Sequence, residues 1–168
     1  MYSRPGSEAD LDTVIALLDE AIAWLVEQGR PDQWGSQPWS ERPETVEFMR
    51  KMIAEGDLWL AEIEGQPVGA LLLSESPMHY VPPVNERELY IRLLVSSRRH
   101  KGAGIGKQLI DYARSIARER GISLVRVDCY SGPDQKLVRF YESAGFTPTQ
   151  RREVREGVFV QIFEDRLT

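Results

Sequence analysis

The segment Val95-Ser96-Ser97-Arg98-Arg99-His100-Lys101-Gly102-Ala103-Gly104-Ile105-Gly106-Lys107 concentrates the residue types in this chain most able to do chemistry. Glycines let main-chain N–H groups close on an anion without interference from a Cβ, and a helix start adds partial positive charge. Arg98, Arg99 and Lys101 set cationic side chains beside it. The chemistry implied is capture of a phosphate or pyrophosphate. A Walker A loop fits poorly, because it needs four residues between its first glycine and the Gly-Lys pair, then Ser or Thr to hold Mg²⁺. Here three residues separate Gly102 from Gly106, and Gln108 follows Lys107. A dinucleotide fold also fits poorly, since it places Gly-x-Gly-x-x-Gly near its first strand with further parallel units behind it.

Such a turn needs a strand before it and a helix after it. Glu88 to Val95 reads as the strand, and Ile105, Leu109, Ala113 and Ile116 give a helix from about Gly104 to Arg120, stopped by Gly121. Upstream, Tyr2-Ser3-Arg4 opens as a short strand. Ser7 to Asp10 forms a capping box, and Leu11, Val14, Ile15, Leu18, Ile22 and Leu25 recur at helical spacing up to Gly29. Pro43 starts a second helix that runs to Gly56. Leu58–Ile63 and Val68–Leu73 form a hairpin about Glu64-Gly65. Downstream come a strand at Leu124–Asp128, a short helix opened by Pro133 and running to Ala144, and a tail hairpin, Arg151 to Leu167, about Glu156-Gly157. The order predicts an α/β (α+β) fold: a single mixed, mostly antiparallel central sheet of six to seven strands with about four helices and one right-handed β–α–β crossover.

Bulk composition narrows the class. At 168 residues and 19.2 kDa the chain suits one domain, 1–168, with its own core. A net charge of −5 argues against a nucleic-acid-coating protein. The apolar runs are far shorter than the ~20 residues of a membrane span. Two histidines and one cysteine are too few for the usual His/Cys metal site, so no metal is expected. The lone Cys129 cannot pair within the chain, which favours a reducing, cytoplasmic setting.

The run Arg99-His100-Lys101-Gly102-Ala103-Gly104, after the hydrophobic Leu93-Leu94-Val95, resembles the acetyl-coenzyme A motif Arg/Gln-x-x-Gly-x-Gly/Ala of the GNAT superfamily of N-acetyltransferases. A second match, Leu137 to Phe146 with Tyr141-Glu142 and Gly145-Phe146, is similar to that family's Tyr-Glu-x-x-Gly-Phe helix end. The resemblance in element order covers nearly the whole chain. It implies a GNAT fold that binds acetyl-CoA as acyl donor through Leu93, Leu94, Val95, Arg99, His100, Lys101, Gly102, Ala103, Gly104, Ile105, Gly106, Leu137 and Tyr141. Asp134 stands where the family often has Asn, seven residues before the tyrosine, and takes that place in the cofactor set. The resemblance also implies that Tyr141 meets the cofactor sulfur as general acid, and that the Val95 N–H stabilises the oxyanion.

Transfer to an amine also requires a base, because a free alkyl amine is protonated at neutral pH. Strand alternation sets Glu88, Tyr90, Arg92 and Leu94 on one face, as if lining a cleft, with Glu88 as the candidate base and Asp128 as its rival. Arg92 suits a substrate carboxylate. In the family the acceptor cleft is shaped by two loops, here Arg30 to Arg42 with Asp32, Trp34 and Trp39, and Ser76 to Glu86 with His79 and Tyr80. Aromatics beside acids suit a cationic amine. The expected activity is direct transfer of acetyl to a primary amine of a small molecule (amino acid, polyamine or antibiotic-like) in a ternary complex. Alternatives are a protein N-terminus or lysine as acceptor, and a non-catalytic acyl-CoA sensor. No nucleic acid or membrane partner is expected, and the tail hairpin is a candidate homodimer contact.

Overall fold

The computed structural model describes residues 1–29 and 35–168. Seven strands form one mixed sheet in the order β1-β2-β3-β4-β5-β7-β6, accompanied by four α-helices. The strands are β1 Tyr2–Pro5, β2 Asp57–Ile63, β3 Gln66–Ser74, β4 Glu88–Ser96, β5 Leu124–Tyr130, β6 Thr147–Arg155 and β7 Val158–Arg166. The helices are α1 Leu11–Glu27, α2 Pro43–Glu55, α3 Ile105–Glu119 and α4 Lys136–Ser143. By compactness the chain divides into Met1–Leu73 with Leu93–Leu109, and Ser74–Arg92 with Ile110–Thr168.

In the first unit, β1 pairs antiparallel with β2, and β2 with β3. Ser7 caps the turn before α1 as the sequence pattern requires: its side chain accepts from the Ala9 N–H, and Asp10 returns a bond to the Ser7 N–H. Arg4 then ties this corner together, reaching Asp10 at 2.9 Å and Glu62 at 3.2 Å. The apolar stripe of α1 is buried from Leu11 to Leu25, and Leu58, Leu60 and Leu71 of the hairpin are buried as well. Where α3 begins, backbone and side chains approach closely: a Cβ on Gly69 of β3 would lie 3.0 Å from both Ile105 Cγ2 and Leu109 Cδ1, and 3.2 Å from the Val95 carbonyl.

In the second unit, β4 and β5 run parallel, from Glu88 opposite Leu124 to Ile91 opposite Val127. β5 pairs antiparallel with β7, and β7 with β6. Leu124, Val125, Val127, Ile162 and Phe163 of the strands are buried, as are Ile110, Ala113 and Ala117 of α3. The tail hairpin begins at Thr147, four residues earlier than the apolar pattern suggests, because the first half of β6 is exposed at every position and alternation starts only at Arg152. α4 also begins later than Pro133. Gln135 takes a left-handed conformation (φ 56°) and its N–H and side chain both turn back onto the Gly132 carbonyl, so helical geometry starts only at Lys136.

Gly69→Val is expected to overpack the start of α3. A loss of about 1–3 kcal/mol should appear in calorimetry as a Tm lower by roughly 3–10 °C.

Candidate active site

The glycine-rich turn belongs to the first unit. β4 ends at Ser96, a 3-10 turn covers Arg98–His100, and α3 starts at Ile105. Ser97 caps that turn, its hydroxyl accepting from the Arg99 N–H. Main-chain donors leading up to and between the glycines are occupied: the Arg98 and Arg99 N–H groups donate to Glu20, Lys101 to the Arg98 carbonyl, and Ala103, between the two glycines, to the His100 carbonyl. The first turn of α3, at Ile105, Gly106 and Lys107, leaves its N–H groups without intrahelical acceptors. Gly102 and Gly104 sit at φ 88° and 72°, a region closed to most side chains, and nothing lies within 4 Å of a Cβ built on Gly102. Glycine is therefore demanded by backbone geometry at a place where the protein leaves room. Lys101, Gly102, Ala103, Gly104 and Arg99 are exposed, Ile105 is buried, and His100 is half-buried with its Nδ1 enclosed and unbonded.

The second unit holds a carboxylate enclosed by phenols. The Tyr80 hydroxyl donates to Asp128 Oδ2 at 2.7 Å, and the Tyr90 hydroxyl makes a short bond to Oδ1. Burial raises the Asp128 pKa above the ordinary carboxylate range, against the opposing pull of the two phenols and of Arg126. Both phenols are themselves pushed above their ordinary value, first by burial and then by the Asp128 charge, so they remain donors. Val81, Tyr90 and Ile162 pack together with Met78 and Tyr80 against them, which seats the loop after β3.

Glu88 lies on the expected face but is paired with a buried cation. It is 3% exposed, and both its oxygens face Arg126, Oε1 at 2.8 Å and Oε2 at 2.9 Å. Arg126 also donates to the Pro82 carbonyl at 3.1 Å. The residues at 88, 90 and 92 do share a face, but they are not a row lining a cleft. Glu88 neutralises Arg126, Tyr90 serves Asp128, and Arg92 donates to the Ser76 and Pro77 carbonyls at 3.1 Å each. Of the two carboxylates, Asp128 is the one not neutralised by a cation.

Tyr141 lies on α4, buried at 6% exposure, its ring flanked by Phe163 at 5.5 Å and Phe146 at 5.9 Å. Burial raises its phenol pKa, and the neighbouring Cys129 and Asp128 raise it further. Cys129 is buried, its thiol pushed up to about 12, which keeps it protonated and a poor nucleophile. Asp134 accepts the Lys136 N–H at 3.1 Å at the helix start, and Leu137 is half-buried one turn before Tyr141. Val95 is buried, as is Leu93, while Leu94 is half-buried. On the acceptor side, Trp34 and Asp32 fall outside the described residues. Trp39 is fastened by its main-chain N–H to Asp19 at 2.7 Å and meets the Phe48 ring edge-on at 6.3 Å. His79 is exposed and packs edge-on to Tyr80 at 5.3 Å.

The Acetyltransferase (GNAT) family profile matches residues 18–146, most of the chain. The chain belongs to the GNAT acetyltransferase family. Among curated relatives, N-acetyltransferase 8F1 of Rattus norvegicus is 29% identical over 69% of this chain and 54% of its own length. Peptidyl-lysine N-acetyltransferase YjaB of Escherichia coli is 32% identical over 67% of this chain and 65% of its own length. Mycothiol acetyltransferase of Beutenbergia cavernae is 33% identical over 85% of this chain and 43% of its own length. The chain thus spans about half the length of several curated relatives it matches. Among solved structures, a GNAT-family acetyltransferase from Listeria monocytogenes superimposes with a TM-score of 0.74 at 22% identity, covering 99% of this chain and 94% of that one. A Salmonella typhimurium acetyltransferase, yncA, solved with acetyl-CoA, gives 0.65 at 14% identity, covering 99% and 94%. Family membership and these N-acetyltransferase names support an acyltransferase.

For this GNAT chain, sequence reasoning missed Glu20 and the paired role of Arg126. Neither carries a motif: Glu20 looks like a solvated helix residue, and Arg126 is a lone cation within an apolar strand. The one available signal was that a strand reading Leu-Val-Arg-Val must bury its arginine and so requires a buried acid. Removing that acid should be costly. Glu88→Gln leaves the Arg126 charge without its counter-charge, and breaking a buried pair from one side destabilises by about 3–5 kcal/mol. Urea unfolding should show the midpoint falling, with native secondary structure retained at zero denaturant.

Proposed function

We propose that this GNAT chain, 1–168 acting as a single domain, is an N-acetyltransferase that moves acetyl from acetyl-CoA to a primary amine of a small molecule. The observation that carries the proposal is the pair of positive-φ glycines, Gly102 and Gly104, leading into α3, with open space in front of Gly102. Main-chain N–H groups there suit a diphosphate, and Arg99 and Lys101 add charge. The yncA relative solved with acetyl-CoA supports the choice of donor.

The reaction requires three services from the protein. Asp128 takes the proton of the amine, directly or through water; its raised pKa brings it nearer the neutral range where a base works best. Tyr80 and Tyr90 fix its two oxygens. The Val95 N–H donates to the thioester oxygen as charge develops on it. Tyr141 keeps its proton through the neutral range because of its burial, and gives it to the departing sulfur, then recovers one from solvent. The acceptor meets Tyr80 and His79, and aromatic faces beside an acid favour a cationic amine. Arg92, already donating to two carbonyls, serves the loop after β3 more than a substrate carboxylate.

A thiol-release assay with acetyl-CoA over a panel of amino acids, polyamines, aminoglycosides and a lysine peptide tests this reading. Turnover on one small-amine class is the expected result. Turnover on the peptide alone would instead favour the acceptor named in the Escherichia coli relative, and binding of acetyl-CoA with a flat panel would favour a sensor. Tyr141→Phe should lower kcat about 10²-fold or more with acetyl-CoA affinity little changed. In the pH–rate profile, activity should fall as pH drops through the raised Asp128 pKa, because protonation removes the base; Asp128→Asn should abolish that limb while Glu88→Gln retains it.

A further inference from the structure

Helix α1 carries two adjacent carboxylates, and each closes a different turn of the first unit. Asp19 Oδ1 accepts the N–H of Trp39 at 2.7 Å and of Ser40 at 3.3 Å, holding the 3-10 turn at Trp39–Glu41. Glu20 Oε1 accepts three donors: the Ser97 hydroxyl at 2.9 Å, the Arg98 N–H at 2.6 Å and the Arg99 N–H at 3.3 Å. One helical turn further on, and so on the same face, Trp24 lies against the Arg98 guanidinium, 3.7 Å from its ring centroid. Arg98 is therefore held by α1 at its main chain and at its side chain.

This grip governs which main-chain donors remain for a ligand. Every main-chain N–H shielded from water needs an acceptor. Glu20 supplies one for the donors at 98 and 99, the Arg98 and His100 carbonyls supply those at 101 and 103, and the supply then stops at the glycines and the first turn of α3. Without Glu20, the Arg98 N–H and the Ser97 hydroxyl would lose their acceptor, the Arg99 N–H would keep only the Ser97 hydroxyl, and the loop would have to be ordered by the ligand itself. Ordering on binding lowers affinity.

We propose that Glu20, seconded by Trp24, is a positioning residue for the acyl donor: it locks the Arg98–His100 turn so that the N–H groups of Gly102 and of Gly104 to Lys107 are preset for a diphosphate. The inference rests on the reading of that loop as the diphosphate site. It assigns Glu20 no contact with the donor and no part in the proton transfers.

Calorimetric titration of coenzyme A into the full chain, with steady-state rates, tests it on wild type, Glu20→Ala, Glu20→Gln, Trp24→Leu, Asp19→Asn and Gly104→Val. Glu20→Ala should raise the Kd for coenzyme A and the KM for acetyl-CoA by about 10- to 30-fold, the scale of losing a charge-assisted hydrogen bond. Its kcat at saturation and its KM for the amine should stay within about twofold of wild type, which is the signature of lost uniform binding. Glu20→Gln keeps an oxygen acceptor and should recover part of the affinity. Asp19→Asn, matched to Glu20→Gln one residue away, should leave the coenzyme A Kd at the wild-type value. The inference is overturned if folded Glu20→Ala binds coenzyme A like wild type, or if Asp19→Asn weakens binding equally, which would mean a general loosening of α1. Loss of binding in Gly104→Val with wild-type binding in Glu20→Ala would leave the loop reading standing and remove Glu20 alone. Equal binding by wild type and Gly104→Val would remove the loop reading and Glu20 with it. Should Glu20→Ala fail to fold, Glu20→Gln and Trp24→Leu carry the same comparison.

Discussion

A main-chain N–H can satisfy only a small number of acceptors, and the segment from Ser97 to Lys107 divides its N–H groups between the protein and whatever binds it. Those at 98, 99, 101 and 103 are spent on Glu20 and on local carbonyls. At Gly102 and Gly104 the backbone turns into the left-handed region, and the first turn of α3 has no intrahelical acceptors to offer. Phosphate oxygens are strong acceptors without directional demands, so a row of such N–H groups suits them better than any single side chain would. The proposed acyl-donor reading depends on this division, and α1 enforces it from outside the motif.

The second unit works under a different constraint, the cost of burying charge. Asp128 is held in apolar surroundings and is tolerated because two phenols satisfy its oxygens. Hydrogen bonds from neutral donors stabilise the carboxylate without cancelling its charge, which leaves it able to take a proton. Glu88 received the opposite treatment: Arg126 cancels it, and the pair is sealed beneath Pro82. Two carboxylates on one face of the sheet thus have separate environments, one cancelled by a cation and one held by neutral donors, set by the partners that neighbouring segments supply.

Much of the architecture was legible from pattern alone. The capping box at Ser7, the apolar stripe of α1, the hairpin about Glu64-Gly65 and the strand–turn–helix around Gly102 all stand where periodicity and turn chemistry place them. The misreadings have physical causes. Pro133 is a good helix opener, but the turn from Gly132 to Gln135 closes on itself and delays α4 to Lys136. β6 was legible only in part, because an exposed edge strand has no buried face to enforce alternation. At the site, alternation correctly grouped residues 88, 90 and 92, yet it gave no sign that 88 would meet Arg126.

Local sequence by itself determined where the helices and strands lie, that the turn at 102–104 must be glycine, and the GNAT resemblance that the family match later established. These depend on dihedral preference and on periodicity, which act over a few residues. Tertiary structure alone decided which carboxylate is neutralised, which is braced by phenols, and which helix residue anchors the glycine turn. Glu20 and Arg98 are 78 positions apart, and Tyr80 and Asp128 are 48. Electrostatic partnership acts through space, so no window along the chain holds both members of either pair.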